Sequence, residues 1–132
     1  MWNRNITGLD AEGTFRSLNG AADENVFIGK ASKAGFFCFF KVWRDVPYDA
    51  VLDYEHILYR VEVKGSSSGT YNLTRGGRSG AQIDRHAENR TRRIERGDCD
   101  FVVCVDSNNG DCFILPVDIL DITKRQNFGA RA

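Results

Sequence analysis

The sequence of 132 residues lacks a long hydrophobic run, and its longest, GFFCFF, has the length of a strand rather than of a bilayer-spanning helix. It also lacks a hydrophobic signal segment at its amino terminus, so we expect a cytoplasmic protein that does not act at a membrane. The formal net charge is zero, and with 42% hydrophobic residues the composition is that of a folded protein rather than a disordered one. The length fits a single domain, residues 1–132, with an amino-terminal extension (1–20) and a basic tail (121–132).

The four cysteines and two histidines do not form a zinc-binding pattern. The sequence contains no CxxC pair, and neither histidine stands at a zinc-finger spacing from a cysteine. We therefore expect reduced cysteines that act as small hydrophobic side chains.

Positive charge is concentrated in one segment although the net charge is zero. Between residues 75 and 96 the sequence carries seven arginines and only three acids. Because arginine forms forked contacts with phosphate, this bias favours a surface that binds an anion. A solvated helix face with ion pairs such as Glu88 with Arg92 is the alternative interpretation.

The pattern of apolar residues predicts one helix and then three strands in the first half of the chain. The helix begins at Ala21 and ends at Gly35, after twenty poorly patterned residues. The three strands are GFFCFFKVW, which we expect to be buried, then YDAVLDY, and after a tight turn ILYRVEVKG.

The second half alternates glycine-rich segments with further elements. TYNLTR is a short strand candidate, and a helix with a thin apolar stripe is predicted over residues 81–96. DFVVCVD reads as a buried central strand, DCFILPVDIL as an edge strand closed by Pro116, and the tail from Thr123 as loose. The order predicts an α/β fold, in which helices flank a small mixed β-sheet.

Two carboxylates are expected to converge on the hairpin that joins the second and third strands. Asp49 precedes the turn and Glu62 follows it, so a suitable register would bring them together. Two close carboxylates require a neutralising cation, and Mg²⁺ accepts one or two carboxylates beside water and substrate phosphate. Lys64 lies on the same strand face as Glu62, where it could orient or deprotonate a water for attack on phosphorus.

The segment VPYDAVLDYEHILYRVEVKGSS resembles the PD-(D/E)xK nuclease superfamily. Pro47, Tyr48 and Asp49 look like its P-D element with one residue interposed, and Glu62, Val63 and Lys64 match its E-x-K element. Small members with similar features are archaeal-type Holliday-junction resolvases and phage or intron homing endonucleases. The resemblance extends over residues 23–120, including the apolar strand, turn and Pro-x-Asp of DFVVCVDSNNGDCFILPVD.

The resemblance implies a restriction-endonuclease-like αβββαβ core and a DNA endonuclease that depends on Mg²⁺, for which Mn²⁺ can substitute. The residues it assigns to catalysis are Asp49, Glu62, Lys64 and, from the first helix, Glu24. The implied metal ligands are Asp49, Glu62, Glu24 and the carbonyl of Val63. Contacts to DNA are expected from Ser66, Arg75, Arg78, Arg85, Arg92 and Arg93. Cutting both strands requires two sites, so a homodimer is expected.

The target of such an enzyme is less determined than its chemistry. A short chain without an added recognition domain favours structure-selective cutting, as by a junction resolvase. The segment GTYNLTRGGRSG would instead suit base reading by a site-specific homing or restriction enzyme. A non-catalytic nucleic-acid-binding module on the same fold, or a small interaction domain with a surface charge pair, are alternatives outside the nucleases.

Overall fold

The structure, a computed structural model, describes residues 11–76, 91–123 and 127–129. Within these ranges it contains two helices and nine strands. The helices are α1 (Ala11–Lys33) and α2 (Val117–Thr123). The strands are β1 (Phe37–Phe40), β2 (Ala50–Tyr54), β3 (Ile57–Ser66), β4 (Thr70–Asn72), β5 (Thr74–Gly76), β6 (Thr91–Arg93), β7 (Phe101–Asp106), β8 (Cys112–Pro116) and β9 (Asn127–Gly129).

Five strands form one mixed sheet in the order β1-β2-β3-β7-β8. Only β3 and β7 are parallel, and the other neighbours pair antiparallel. Two short antiparallel ribbons, β4 with β9 and β5 with β6, accompany this sheet. The predicted α/β fold with a small mixed sheet is confirmed.

The turn between β2 and β3 sets the register of the hairpin. Glu55 and His56 have φ values of 51° and 70°, and they connect the directly paired Tyr54 and Ile57. Two consecutive residues in the left-handed region are typical of a type I′ turn, whose twist matches that of the flanking strands. With this register, the side chains of β3 alternate between two faces of the sheet, as the sequence predicts.

Each face of the sheet is covered by its own hydrophobic core. The core between α1 and the sheet contains Phe27, Ala31, Ala50, Val61, Val63, Val103 and Val105. The core on the opposite face contains Tyr71, Leu73, Ile94, Cys99, Val102, Cys104, Val117 and Leu120. Strand β7 contributes to both cores, which confirms the prediction of a buried central strand.

Helix α1 begins earlier than predicted. It starts at Ala11, ten residues before the expected start at Ala21, so the second half of the proposed extension belongs to the helix. Gly13 and Gly20 lower the helix propensity of this stretch and hide it from sequence patterning. The predicted stop is correct, because Gly35 has a φ of 94°, a conformation that glycine adopts readily.

The prediction that the first strand is buried is wrong. Strand β1 is an edge strand of the sheet, and the side chains of Phe37, Phe39 and Phe40 are 72%, 54% and 52% exposed. Apolar composition indicates a strand in this case but not its place in the sheet. The prediction of an edge strand is confirmed for β8, which ends at Pro116.

Two other predictions require correction. The helix proposed over residues 81–96 falls largely outside the described residues, but its end, Thr91–Arg93, is a strand paired with Thr74–Gly76. The tail is not wholly loose, because Asn127–Gly129 pairs with Thr70–Asn72. Both errors concern ribbons that join segments distant in sequence, which local periodicity does not reveal. Helix α2, directly after Pro116, was not predicted.

Within the described residues, no helix combines the length and apolar character needed to cross a bilayer.

A substitution at Gly65 tests the packing of α1 against the end of β3. A Cβ atom at this position would overlap the carboxylate of buried Asp23, which accepts a hydrogen bond from Ser107 Oγ at 2.9 Å. We expect Gly65→Ala to lower the free energy of unfolding by about 1–3 kcal/mol, measured by urea denaturation. The control is Gly29→Ala on α1, where the added methyl meets nothing and helix propensity favours alanine by up to ~1 kcal/mol. A Gly65→Ala variant as stable as the control would contradict this account.

Candidate active site

Asp49 is held in one orientation at the start of β2. Its backbone N–H donates to the carbonyl of Val61 at 2.8 Å, and its carboxylate Oδ2 accepts the N–H of Val63 at 2.8 Å. Since β2 begins at Ala50, this carboxylate satisfies a β3 backbone donor at the point where the β2–β3 ladder ends. The hydrogen bond fixes the direction in which the carboxylate points.

Glu62 and Lys64 lie beside each other on one face of β3. The distance from Lys64 Nζ to Glu62 Oε1 is 3.2 Å, and the two side chains are 24% and 14% exposed. The alternation that the sequence predicts for this strand is therefore observed. The pair is largely desolvated, so its charges interact more strongly than those of a surface ion pair.

Lys41 joins this group, although the sequence analysis did not single it out. Its ammonium lies 3.4 Å from Asp49 Oδ1. Its backbone N–H donates to the Asp49 carbonyl, which extends the β1–β2 register beyond the Phe40–Ala50 pair. Counting this register from the hairpin turn would have placed Lys41 opposite Asp49, but that requires knowing that β1 pairs with β2.

Glu24 approaches the site from helix α1. Burial raises the pKa of this half-buried carboxyl, the charge of Asp49 raises it further, and Lys41 opposes the shift. Glu24 is therefore within electrostatic reach of Asp49. Of the four residues that the sequence predicts for catalysis, the fold brings Asp49, Glu62 and Lys64 together, and Glu24 acts on Asp49 through its charge.

The environment of Glu62 favours an additional positive charge. Burial, followed by the charge of Asp49, raises the pKa of Glu62 to about 7, although Lys64 and Lys41 lower it. The cluster thus combines three carboxylates (Glu24, Asp49 and Glu62) with two ammonium groups. A further cation would complete its neutralisation.

The donor set fits magnesium but not a closed protein cage. Among the residues that the structure describes, no three acidic, histidine or cysteine side chains form a group that could hold a metal ion. Magnesium commonly uses one or two carboxylates and fills its remaining positions with water and phosphate oxygens. Asp49 and Glu62 supply such a pair. The Val63 N–H donates to Asp49, and the Val63 carbonyl lies on the same side of the strand as this N–H, so it also faces β2.

Ser66 ends β3 on the same face as Glu62 and Lys64. Its carbonyl accepts the N–H of Ser107, and its hydroxyl lies 3.2 Å from Ser68 Oγ. The hydroxyl group therefore has a protein partner in the loop that follows the strand.

Two of the predicted DNA-binding arginines pair with the buried Asp98. Arg92 contacts its carboxylate with Nη1 at 2.7 Å and Nη2 at 2.6 Å, and Arg75 Nη1 lies 3.5 Å from Oδ1. The hydrogen bonds from Arg92 are the main reason that the pKa of Asp98 falls to about 2. Arg75 and Arg92 face each other in the β5–β6 register, so Asp98 offsets the repulsion between them.

The other arginines of the predicted set divide into two groups. Arg93 Nη1 donates to the Leu120 carbonyl at 3.0 Å, which ties β6 to α2. Arg78 and Arg85 lie outside the described residues.

Arg60, on the same strand as Glu62, has a structural partner instead of a place in the site. Its guanidinium contacts Asp100 at 3.3 Å and donates to the Gly97 carbonyl at 2.9 Å. Asp100 also accepts the backbone N–H of Arg60 at 2.7 Å. These contacts hold the segment that enters β7 against the middle of β3.

Comparison with known proteins supports the class of fold defined above. No known family profile matches the chain, and no curated protein matches it. Among solved structures, the chain is similar to the bacterial homing endonuclease I-Ssp6803I, with a TM-score of 0.67 and 24% identity. The match covers 88% of this chain and 78% of that one. At this level of identity the similarity concerns the fold.

The raised pKa of Glu62 predicts a pH-dependent stability in the absence of metal. Because the folded protein binds this proton more tightly than the unfolded chain, stability decreases as pH rises from about 4.5 to 7. Glu62→Gln removes the effect, so in EDTA the variant should exceed wild type near pH 8 by on the order of 1 kcal/mol. The two proteins should converge near pH 4.5 in urea unfolding.

The matched control is Glu95→Gln, an acid with an exposed side chain. Its stability, measured over the same pH range, gives the effect of removing a surface carboxyl with which the Glu62→Gln difference is compared. A Glu62→Gln difference that depends on pH no more than that of the control would contradict the assignment of the shift to Glu62.

Proposed function

We propose that the protein is a magnesium-dependent DNA endonuclease that hydrolyses phosphodiester bonds. The observation that carries this proposal is the grouping of Asp49, Glu62 and Lys64 at one end of the mixed sheet, with Glu24 on α1 within electrostatic reach of Asp49. In the hydrolysis of a phosphodiester, carboxylates can hold the metal ion and a neighbouring ammonium group can act on the attacking water. The similarity of the fold to that of a homing endonuclease adds support.

In this proposal the acidic residues hold the cation. Asp49 and Glu62 would hold Mg²⁺, or Mn²⁺ in its place, together with the Val63 carbonyl, and Glu24 would add negative charge from α1. When bound, the cation supplies the positive charge that stabilises the phosphate as negative charge develops in the transition state. The hydrogen bond from Val63 keeps Asp49 in position for this role.

The basic and hydroxyl groups act on water and substrate. Lys64 orients the attacking water or takes its proton, and Ser66 contacts the scissile phosphate. Arg92, whose side chain is half exposed, and Arg75 contact the DNA backbone while Asp98 fixes their position. Arg78, Arg85 and Arg93 complete the proposed contacts to DNA.

The preferred substrate in this proposal is a DNA structure such as a four-way junction. Support for this preference comes from the arginines, because arginine suits contacts to the phosphate backbone, which carry no sequence information. Site-specific cutting is the second candidate, and it is favoured by the fold similarity to a homing endonuclease.

Nuclease activity is tested on supercoiled plasmid, linear duplex and a four-way junction, with Mg²⁺ or EDTA. We expect wild type to cut only with Mg²⁺. Glu62→Ala and Lys64→Ala should each reduce the rate by about 100-fold or more, because the first removes a proposed ligand of the cation and the second the ammonium group proposed to act on the attacking water. Lys33→Ala, an exposed residue at the end of α1, is the control and should cut at the wild-type rate.

The three substrates test nuclease activity and distinguish structure-selective from site-specific cutting. Wild-type protein that cuts nothing, or alanine variants that cut as fast as the control, would show that the site is not a nuclease centre. Faster cutting of the junction than of the duplex supports structure selection, whereas cutting of plasmid at one position supports site-specific recognition.

We further propose that the protein acts as a homodimer, since two sites are needed to cut both strands. The edge strand β1 supplies a candidate interface, because it carries three exposed phenylalanines and, among the residues that the structure describes, no strand pairs with its outer side. The opposite edge strand, β8, ends in Pro116, which disfavours strand addition there. Antiparallel pairing of two β1 strands would join the two sheets by a two-fold axis.

The oligomeric state is tested by light scattering on purified protein. We expect wild type to have twice the 14.8 kDa mass of one chain. The double variant Phe37→Lys with Phe39→Lys should be monomeric, because it buries charge at the proposed interface. Phe113→Lys on β8 is the matched control and should remain dimeric. A wild-type monomer contradicts the dimer, and a dimeric double variant contradicts the interface.

A further inference from the structure

Lys41 contacts one of the two carboxylate oxygens of Asp49, and the Val63 N–H contacts the other. Oδ2 accepts the Val63 N–H, and the Lys41 ammonium lies 3.4 Å from Oδ1. The Asp49 side chain is 13% exposed and the Lys41 side chain 30%. An ion that binds Asp49 through Oδ1 therefore meets this ammonium group.

The charge of Lys41 acts on the whole carboxylate cluster. It lowers the pKa of Glu24 and of Glu62 in addition to contacting Asp49. Lys64, by contrast, contacts Glu62. Lys41 is thus the ammonium group that is placed to neutralise all three acids before a metal ion arrives.

We propose that the Lys41 ammonium group neutralises Asp49 in the metal-free site, and that it turns away to pair with a DNA phosphate when a divalent cation binds Asp49. This inference rests on the proposed nuclease function. A cation bound to Asp49 would repel the Lys41 ammonium group, which lies 3.4 Å from the same carboxylate. The Lys41 side chain is partly exposed and flexible, so it can turn outward. A DNA phosphate bound at the site would give the displaced ammonium group an anion to pair with.

Metal and DNA then bind cooperatively. Without DNA the cation must displace an ion pair, so its affinity is reduced. With DNA present, the phosphate stabilises the displaced ammonium, and each ligand strengthens binding of the other by the same factor.

The test measures how tightly the Lys41→Met variant binds Mn²⁺ without DNA. Binding is detected as the loss of the electron paramagnetic resonance signal of free Mn²⁺. We expect the variant to bind Mn²⁺ about 3- to 10-fold more tightly than wild type, because the competing ammonium is gone. Its affinity for a duplex should fall, and Ca²⁺ should improve that affinity less than it does for wild type. Lys41→Arg retains the charge and should keep the wild-type Mn²⁺ affinity.

Lys30→Met is the matched control. Lys30 makes a long, exposed ion pair with Asp111 at 3.9 Å, so the change removes the same charge without touching the cluster. The variant should bind Mn²⁺ as wild type does, and thermal unfolding checks that all variants are folded.

The outcomes separate this inference from the proposed function. Mn²⁺ binding by Lys41→Met that is unchanged or weaker, in a protein whose wild type still cuts DNA, overturns the role of Lys41 alone. An equal gain in Lys30→Met also overturns it, since the effect would then reflect net charge. Wild-type protein that binds no divalent cation and cuts no DNA overturns the proposed function together with this inference.

Discussion

The hydrogen bond between the Asp49 carboxylate and the Val63 N–H is the contact on which the arrangement of the site depends. It lies at the start of β2, where β3 continues past its last pair with β2 while its other side is paired with β7, so a side chain replaces a backbone partner at that point. The requirement to satisfy a buried N–H fixes Asp49 beside Glu62. The same contact therefore completes the sheet and places two carboxylates at one end of it.

Placing these acids together works against the stability of the folded protein. Glu62 is largely buried beside Asp49, and both effects raise its pKa toward neutrality. The fold offsets the cost with Lys64 on the same strand and Lys41 on the neighbouring one. Electrostatic strain of this kind is typical of functional sites, because the charges that a ligand will neutralise remain imperfectly balanced in its absence.

Sequence patterning predicted the parts of the molecule that depend on local alternation and on short turns. The two faces of β3, the burial of β7, the edge position of β8 and the stop at Gly35 are all observed. It failed where the answer lies in distant neighbours, as for the exposed β1 or for the strand at Thr91–Arg93. It also missed Lys41, because a charged residue after an apolar strand has no distinctive local pattern.

The sequence by itself determined which side chains share a face of a strand, since alternation is a property of the extended backbone. It thereby set Glu62 beside Lys64 and made Asp49 a candidate partner. Only the tertiary structure decided which residues neutralise which charges. The β1–β2 pairing places Lys41 on Asp49, and the packing of α1 brings in Glu24. Asp98 likewise contacts both Arg75 and Arg92 because strands β5 and β6 pair with each other. Such contacts depend on which strands pair and on how the helix packs, and local sequence patterns do not reveal either.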